Sequence, residues 1–300
     1  MSARVLLLRR GAIQGTIARV LRTSTPVVAV GHRDIDAALD LCAADRVANV
    51  FVATKILEGA IANQPGSLLG FRSNGRLRSL LWTSANVVPV ECHNDAVQAF
   101  ADRIVGWRRQ CASIFGPQDA VGALWRRLAG TWGPARSIRA RQPLMATTTP
   151  PSALGLALDP QVRFATLAEV DAVLPAAARM FTDEIGYPPY AGSSRGYRQA
   201  ISGLIHLRRT LVRVDAGEVI FKADVGSNAG GVAQIQGVWL HPGLRGRGMA
   251  VPAMAAVTEL VLAEIADTAS LYVNDYNVAA RATYLHCGFR DVGNFATVLM

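Results

Sequence analysis

Lysine is almost missing from this chain. Lys55 and Lys222 are its only lysines, and arginine supplies the rest of the 31 basic residues behind a formal net charge of +9. The arginines are scattered and not interleaved with aromatics, which make up only 7% of the residues. A nucleic-acid surface would concentrate both. The basic balance therefore reads as arginine encoded in place of lysine, and nucleic acid is not expected as a partner. Cysteine is scarce too. Cys42, Cys92, Cys111 and Cys287 form no Cys-x-x-Cys pair, and the five histidines do not cluster beside them. Neither a zinc site nor a disulfide framework is indicated, and no metal is expected. No apolar run reaches the roughly 18 residues that span a bilayer. Acidic residues are missing before Asp34. The apolar run within Arg4–Arg10 is cut by charge too early for a secretory core, although an acid-free, arginine-bearing start also fits a transit peptide. An ordinary basic start and a cytoplasmic location are the simpler readings.

What is present points to globular domains. Hydrophobic residues are 51% of the chain and charged residues 18%, enough to build full cores. The length predicts about two domains. Thr147-Thr148-Thr149-Pro150-Pro151-Ser152 is small, polar and proline-broken, and it lies at the midpoint. We therefore expect a first domain over residues 1–146, a linker over 147–160 and a second domain over 161–300. The charge is split unevenly. Residues 1–150 carry 19 basic and 9 acidic side chains, and residues 151–300 carry 12 and 13.

The most informative segment runs from Val238 to Ala250. An apolar strand ending in Val238-Trp239-Leu240 leads through His241-Pro242-Gly243-Leu244 into Arg245-Gly246-Arg247-Gly248-Met249-Ala250, and then into an alanine-rich helix. A helix start offers unpaired N–H groups and the positive end of a dipole. Glycines there let an anion approach the backbone, and arginines add charged donors. The Gly-Lys-Ser/Thr ending of a Walker loop is missing, and so is the spacing of a dinucleotide fingerprint. The pattern Arg245-x-x-Gly248-x-Ala250 resembles the acyl-CoA loop of the GNAT superfamily of N-acetyltransferases.

A second segment agrees with that resemblance. Asn277, Ala280, Tyr284, Gly288 and Phe289 match the family's Asn-x-x-Ala-x-x-x-Tyr-x-x-x-Gly-Phe pattern. Asn277, Ala280 and Tyr284 share one helix face. Asn277 can cap that helix and Gly288 can end it. From residue 161 onward the elements read βααβββαβαββ, with a final pair of strands ending at Thr297-Val298-Leu299, as the family fold requires. The N-terminal half repeats part of that order around an Asn74-Gly75 hairpin. There Glu91-Cys92-His93-Asn94-Asp95 stands where the glycine-spaced loop would be. Acidic groups at a helix start repel a diphosphate. The expected fold is thus α/β (α+β): tandem GNAT-like domains, each a mixed, mostly antiparallel sheet flanked by helices, the first degenerate and without CoA. The whole is similar to actinobacterial two-domain proteins with an uncharacterised N-terminal half and a C-terminal GNAT domain.

The resemblance implies acetyl transfer from acetyl-CoA to a primary amine, on a protein or a small molecule, by direct attack in a ternary complex. Backbone N–H groups of Val238, Trp239 and Leu240 would pair with pantetheine and the oxyanion. Arg245, Gly246, Arg247, Gly248, Met249 and Ala250 would hold the diphosphate. Asn274 and Asn277 would bond the pantetheine arm or position Tyr284, the candidate acid for the sulfur. Many family members place a glutamate on the central strand, where this chain has Gln234 and Gln236. Glu184 is the candidate base, with Asp183, His241 and a water relay as alternatives. Tyr187, Tyr190 and Phe295 would line an acceptor pocket or serve in packing. A different class of function also fits: a non-catalytic CoA-binding regulatory module with an arginine-rich partner-binding half. The sequence leaves the acceptor, the acyl length and the oligomeric state open.

Overall fold

The Asn74-Gly75 pair places two consecutive residues at positive φ, +51° and +75°, the turn that matches the twist of a two-residue hairpin. It joins two strands of the first half. The computed structural model describes residues 26–107 and 111–300, so the start around Arg4–Arg10 lies outside the described residues. The first half contains β1 (Val27–Ala29), α1 (Ile35–Ala44), α2 (Val50–Leu57), α3 (Ala60–Asn63), β2 (Leu68–Ser73), β3 (Arg76–Thr83), β4 (Asn86–Val90), α4 (Asn94–Ile104), β5 (Ser113–Pro117), α5 (Gln118–Trp132) and β6 (Ser137–Thr147). The second contains β7 (Arg163–Phe164), α6 (Val170–Ile185), α7 (Arg195–His206), β8 (Thr210–Asp215), β9 (Glu218–Ala229), β10 (Val232–Leu240), α8 (Ala250–Glu264), β11 (Thr268–Tyr272), α9 (Val278–His286) and β12 (Arg290–Leu299). The two halves therefore repeat one order of elements, with an extra short helix in the first.

The twelve strands of the described residues form one sheet in the order β1-β2-β3-β4-β5-β12-β6-β11-β10-β9-β8-β7. The order is palindromic apart from an exchange at the centre. Each half runs through four antiparallel strands and then a parallel neighbour, β5 beside β4 and β11 beside β10. The next strand in each case comes from the other half. β12 pairs antiparallel with β5 through Phe295↔Pro117 to Leu299↔Ser113, and β6 pairs antiparallel with β11 through Ala269↔Thr147 to Tyr272↔Leu144. β6 and β12 also pair with each other. This corrects the expected final pair of strands. The chain after α9 makes the single strand β12, and β6 of the first half fills the place of the missing one.

Successive residues of a strand point to opposite faces, and β6 uses this to serve two cores. Leu144, 2% exposed, packs in the first half with Trp82, Phe115 and Phe295. Met145, fully buried, packs in the second with Phe221, Met254 and Phe289. Burying such a side chain contributes roughly 2 kcal/mol. α1, α2, α6 and α7 lie on one face of the sheet, and α4, α5, α8 and α9 on the other. α2 reaches across the midline: Val50 packs on Ala229 and Val232, and the Asn228 N–H donates to Thr54 Oγ1 at 2.9 Å. The proline-broken stretch is fastened rather than free. Pro151 is buried, and the Ser152 N–H and hydroxyl donate to the Glu259 carboxylate of α8 at 3.0 and 2.6 Å.

Because β6 covers the edges of both β11 and β12, residues 148–300 produced alone are expected to give no monodisperse, cooperatively melting species, whereas the full chain does. Size-exclusion chromatography and thermal melting check this. A folded fragment would show that β6 is dispensable.

Candidate functional site

β10 and β11 are bonded only at their start. Their parallel register runs from Val232↔Thr268 to Gln234↔Ser270 and stops. β11 then leaves β10 and follows β6, with the Val273 N–H on the Pro143 carbonyl and the Asp275 N–H on the Arg141 carbonyl. β10 stays with β9 to its end, where the His241 N–H donates to the Ile220 carbonyl at 2.8 Å. N–H groups alternate in direction along a strand. If that of His241 points to β9, so does that of Trp239, while those of Val238 and Leu240 point into the opening. The structure thus separates three residues that the sequence grouped together. Trp239 is also 3% exposed, with its indole against the α6 face.

A bulge shapes this stretch. Gln236↔Asp224 and Trp239↔Lys222 are successive pairs, so β10 carries an extra residue there, with Gly237 at φ +57°. Lys222, 1% exposed, supports it from beneath. Its ammonium donates to the Gly237 carbonyl at 3.2 Å and to Asp224 Oδ2 at 2.6 Å, while Thr210 donates to Asp224 Oδ1 at 2.9 Å. A buried charge needs such full pairing. Sequence reasoning missed this set, although a lysine inside the apolar run of β9 was its signal. Neither glutamine of β10 carries a carboxylate to the site. Gln234 is buried, and Gln236 lies exposed with its carboxamide over Gly226.

Beyond β10 the chain makes a short 3-10 turn at Pro242–Leu244, capped by the His241 side chain accepting from the Gly243 N–H. Gly246 and Gly248 stand at φ +74° and +76°, and an added Cβ at either would meet no atom within 4 Å. Their outer side is open. Among the described residues, no acceptor engages the N–H groups of Gly246, Arg247, Gly248, Met249 and Ala250. α8 begins at Ala250 with no acidic residue in its first turn. Arg245 is exposed but engaged: Nε bonds the Leu240 carbonyl at 3.1 Å and the guanidinium pairs with Asp183 at 3.3 Å. Arg247 has no such partner among the described residues and stays exposed. In the first half the matching place holds Glu91, whose carboxylate accepts from Asn49, and Asp95 in the first turn of α4.

On the other side of the opening, Asn277 caps α9, its side chain accepting from the Ala280 N–H at 3.2 Å. Gly288 ends that helix at φ +90°, with Leu154 Cδ1 2.7 Å from where a Cβ would stand. Tyr284 is 8% exposed, and its hydroxyl donates to no group among the described residues. Burial first, then the charge of Glu184 and then Cys287, push its phenol well above the usual range. Tyr272 is pushed up to about 12 by burial and by Glu184, against Arg139. Glu184 thus acts on both rings through its charge. It is half-exposed at the end of α6 and ion-paired to Arg139 at 3.0 Å. Arg139 also donates to the Glu184 carbonyl, and Arg136 to the Ile185 carbonyl, with its guanidinium 4.3 Å from the Tyr187 ring centre. Tyr190 and Tyr197 lie together at 5.8 Å over this face, and burial pushes Tyr197 up to about 12. Phe295 is 2% exposed and packs on Tyr272, away from the opening.

Residues 199–289 match the model of the acetyltransferase (GNAT) family. Residues 66–173 match that of a domain of unknown function, DUF4081, a stretch that runs from the first half through β6 to the start of α6. No protein of curated function matches the sequence. Among solved structures, a Drosophila protein from structural genomics has a TM-score of 0.63 at 12% identity, over 92% of this chain and 98% of its own. A GCN5-related N-acetyltransferase from Sphaerobacter thermophilus gives 0.55 at 15%, over 91% and 94%. A tandem GNAT protein from the clavulanic acid biosynthesis pathway gives 0.54 at 16%, over 91% and 98%. Likeness at such identities is likeness of fold.

Three of the six tyrosines, Tyr197, Tyr272 and Tyr284, are thus held protonated beyond the ordinary phenol value. In the unfolded chain they ionise near pH 10. Their folded values are raised, so the stability they confer is full below about pH 10 and is lost as the pH climbs toward the folded values. Unfolding free energy measured by denaturant should fall above about pH 10, and phenolate absorbance of the folded protein should lag that of the unfolded chain.

Proposed function

We propose that this chain, whose second half is a GNAT-family domain, transfers an acetyl group from acetyl-CoA to a primary amine by direct attack in a ternary complex. One observation carries the reading: β10 parts from β11 and ends in a loop whose open N–H groups converge at the start of α8. The residues fit the co-substrate. Gly246 and Gly248 leave the loop's outer side clear, so the N–H groups of Arg247, Gly248, Met249 and Ala250 reach a diphosphate, and Arg247 adds its charge. Arg245 acts indirectly, bracing the loop against Leu240 and Asp183. The Val238 and Leu240 N–H groups face the pantetheine arm and the oxyanion that develops on attack. Bound there, acetyl-CoA supplies the activated acyl group.

Tyr284 lies on the α9 face toward the opening, where the Asn277 cap holds the helix in place. A thiol titrates near 8.5, well below the raised phenol. Full proton transfer from Tyr284 to a leaving thiolate would run uphill, so its service is a hydrogen bond to the sulfur. Burial first and the charge of Glu184 second raise that phenol, and Glu184 is the candidate base for the acceptor ammonium. To take a proton it must give up its pairing with Arg139. The second reading, a non-catalytic CoA-binding module, is favoured by one observation: β10 offers only glutamines where a carboxylate would serve.

Native mass spectrometry of the purified chain should show one CoA per chain, since the acidic α4 start repels a second. Gly248→Asp should abolish CoA binding in calorimetry, because it adds a carboxylate and a Cβ at positive φ. Unchanged affinity would show that the loop is misassigned. Tyr284→Phe should lower kcat by about 10²-fold with the Kd for CoA unchanged. Glu184→Gln should lower kcat/KM for the amine by about 10²-fold. Tight CoA binding with no thiol release on any amine would favour the regulatory reading.

A further inference from the structure

The opening between β10 and β11 is not made by the second half alone. β6, from the first half, forms its far wall and carries two polar side chains toward it. Phe295↔Gln142 and Thr297↔Arg139 are successive pairs, so one residue of β12, Ala296, stands opposite two of β6, Ala140 and Arg141. That bulge returns Arg139 to the face that holds Gln142. Arg139 grips the end of α6, as described. Gln142 grips Asn274. It is 2% exposed, and both ends of its carboxamide are engaged. Its Oε1 accepts from the Thr297 hydroxyl at 2.6 Å, and its Nε2 donates to Asn274 Oδ1 at 2.9 Å. Asn274 lies two residues beyond the end of β11, where the chain has left β10.

We infer that Gln142 is a positioning residue for the site in the other half of the chain, acting through Asn274. The inference rests on the proposed CoA site and deepens it. With Oδ1 of Asn274 occupied by Gln142, the free group that Asn274 turns to the opening is its Nδ2, a donor. A donor there suits an amide carbonyl of a pantetheine arm. The same contact makes the first half part of the site although it has no glycine-spaced loop of its own. The chain Thr297–Gln142–Asn274 draws one residue from β12, one from β6 and one from the end of β11, so the strand exchange is what brings it together.

The full-length chain tests this with CoA and acetyl-CoA as probes. Gln142→Leu removes both bonds and keeps the volume. Gln142→Glu keeps an acceptor for Thr297 but puts a carboxylate against Asn274 Oδ1, so the Asn274 amide must turn its Nδ2 inward. Both variants should weaken CoA about tenfold in calorimetry and raise KM for acetyl-CoA to match, with kcat within about twofold. Asn274→Ala should lose at least as much. Gln142→Leu/Asn274→Ala should bind no more weakly than Asn274→Ala, because the first residue works through the second. A general loosening of the fold would instead lower the melting temperature, add to the Asn274 loss and reduce kcat. CoA affinity unchanged in Gln142→Glu, or losses that add in the double variant, would overturn the inference. If the unaltered chain binds no CoA, it is the proposed function that fails.

Discussion

The reciprocal insertion of β6 and β12 is the constraint on which the rest of the structure depends. Parallel neighbours bond evenly along their length unless something draws one of them away. β11 is drawn from β10 because its other edge is committed to β6, and those bonds continue past the last one to β10. The opening is therefore held by strand pairing, which is rigid, and its N–H groups stay directed without reorganisation. The same pairing sets Leu144 and Met145 into two cores at once, which ties the geometry of the opening to the packing of both halves.

Around that frame, two sets of buried polar groups are paired, while Gln234 Nε2, Trp239 Nε1 and Thr268 Oγ1 have no partner among the described residues. The bulge at Gly237 frees a carbonyl, and Lys222 takes it while pairing with Asp224. Gln142 and Thr297 satisfy one another under the sheet. The contrast between the halves is electrostatic. They repeat the same elements, but one helix start presents glycines and an exposed arginine, and the other a glutamate already hydrogen-bonded to Asn49. The repeated fold thus has the same scaffold on both sides, and a helix start without acidic residues on one.

Much of this was legible in the sequence, because the informative signals are local. The glycine-spaced loop, the Asn277 to Phe289 pattern and the Asn74-Gly75 turn each lie within about a dozen residues, and the hairpin turn and the Asn277 cap are built as read. The strand over Ser137–Thr147 was not read. Its alternating arginines give a weak period, and its partners lie more than 120 residues away. The expected last strand pair failed for the same reason: a fold can take a strand from anywhere in the chain, and periodicity does not say which edge it joins. The roles of Gln142 and Arg139 follow from that pairing and were hidden with it. Trp239 was grouped with Val238 and Leu240 because the sequence does not show which way each amide of β10 points. Asn277 stands as the cap that its place before α9 allowed.

The strand exchange also governs how the chain comes into being. Gln142 and its partner Thr297 are 155 residues apart. A ribosome adding about 5–20 residues per second makes β12 roughly 10 to 30 seconds after β6. Through that interval β5 waits with one unpaired edge and β6 with both, the kind of surface that joins another chain. β6 waits with Arg139 and Arg141 along it, charges that discourage edge-to-edge association. Arg139, which holds the end of α6 in the finished protein, and Arg141, which pairs with Asp275 and Asn294, thus also guard the unfinished one.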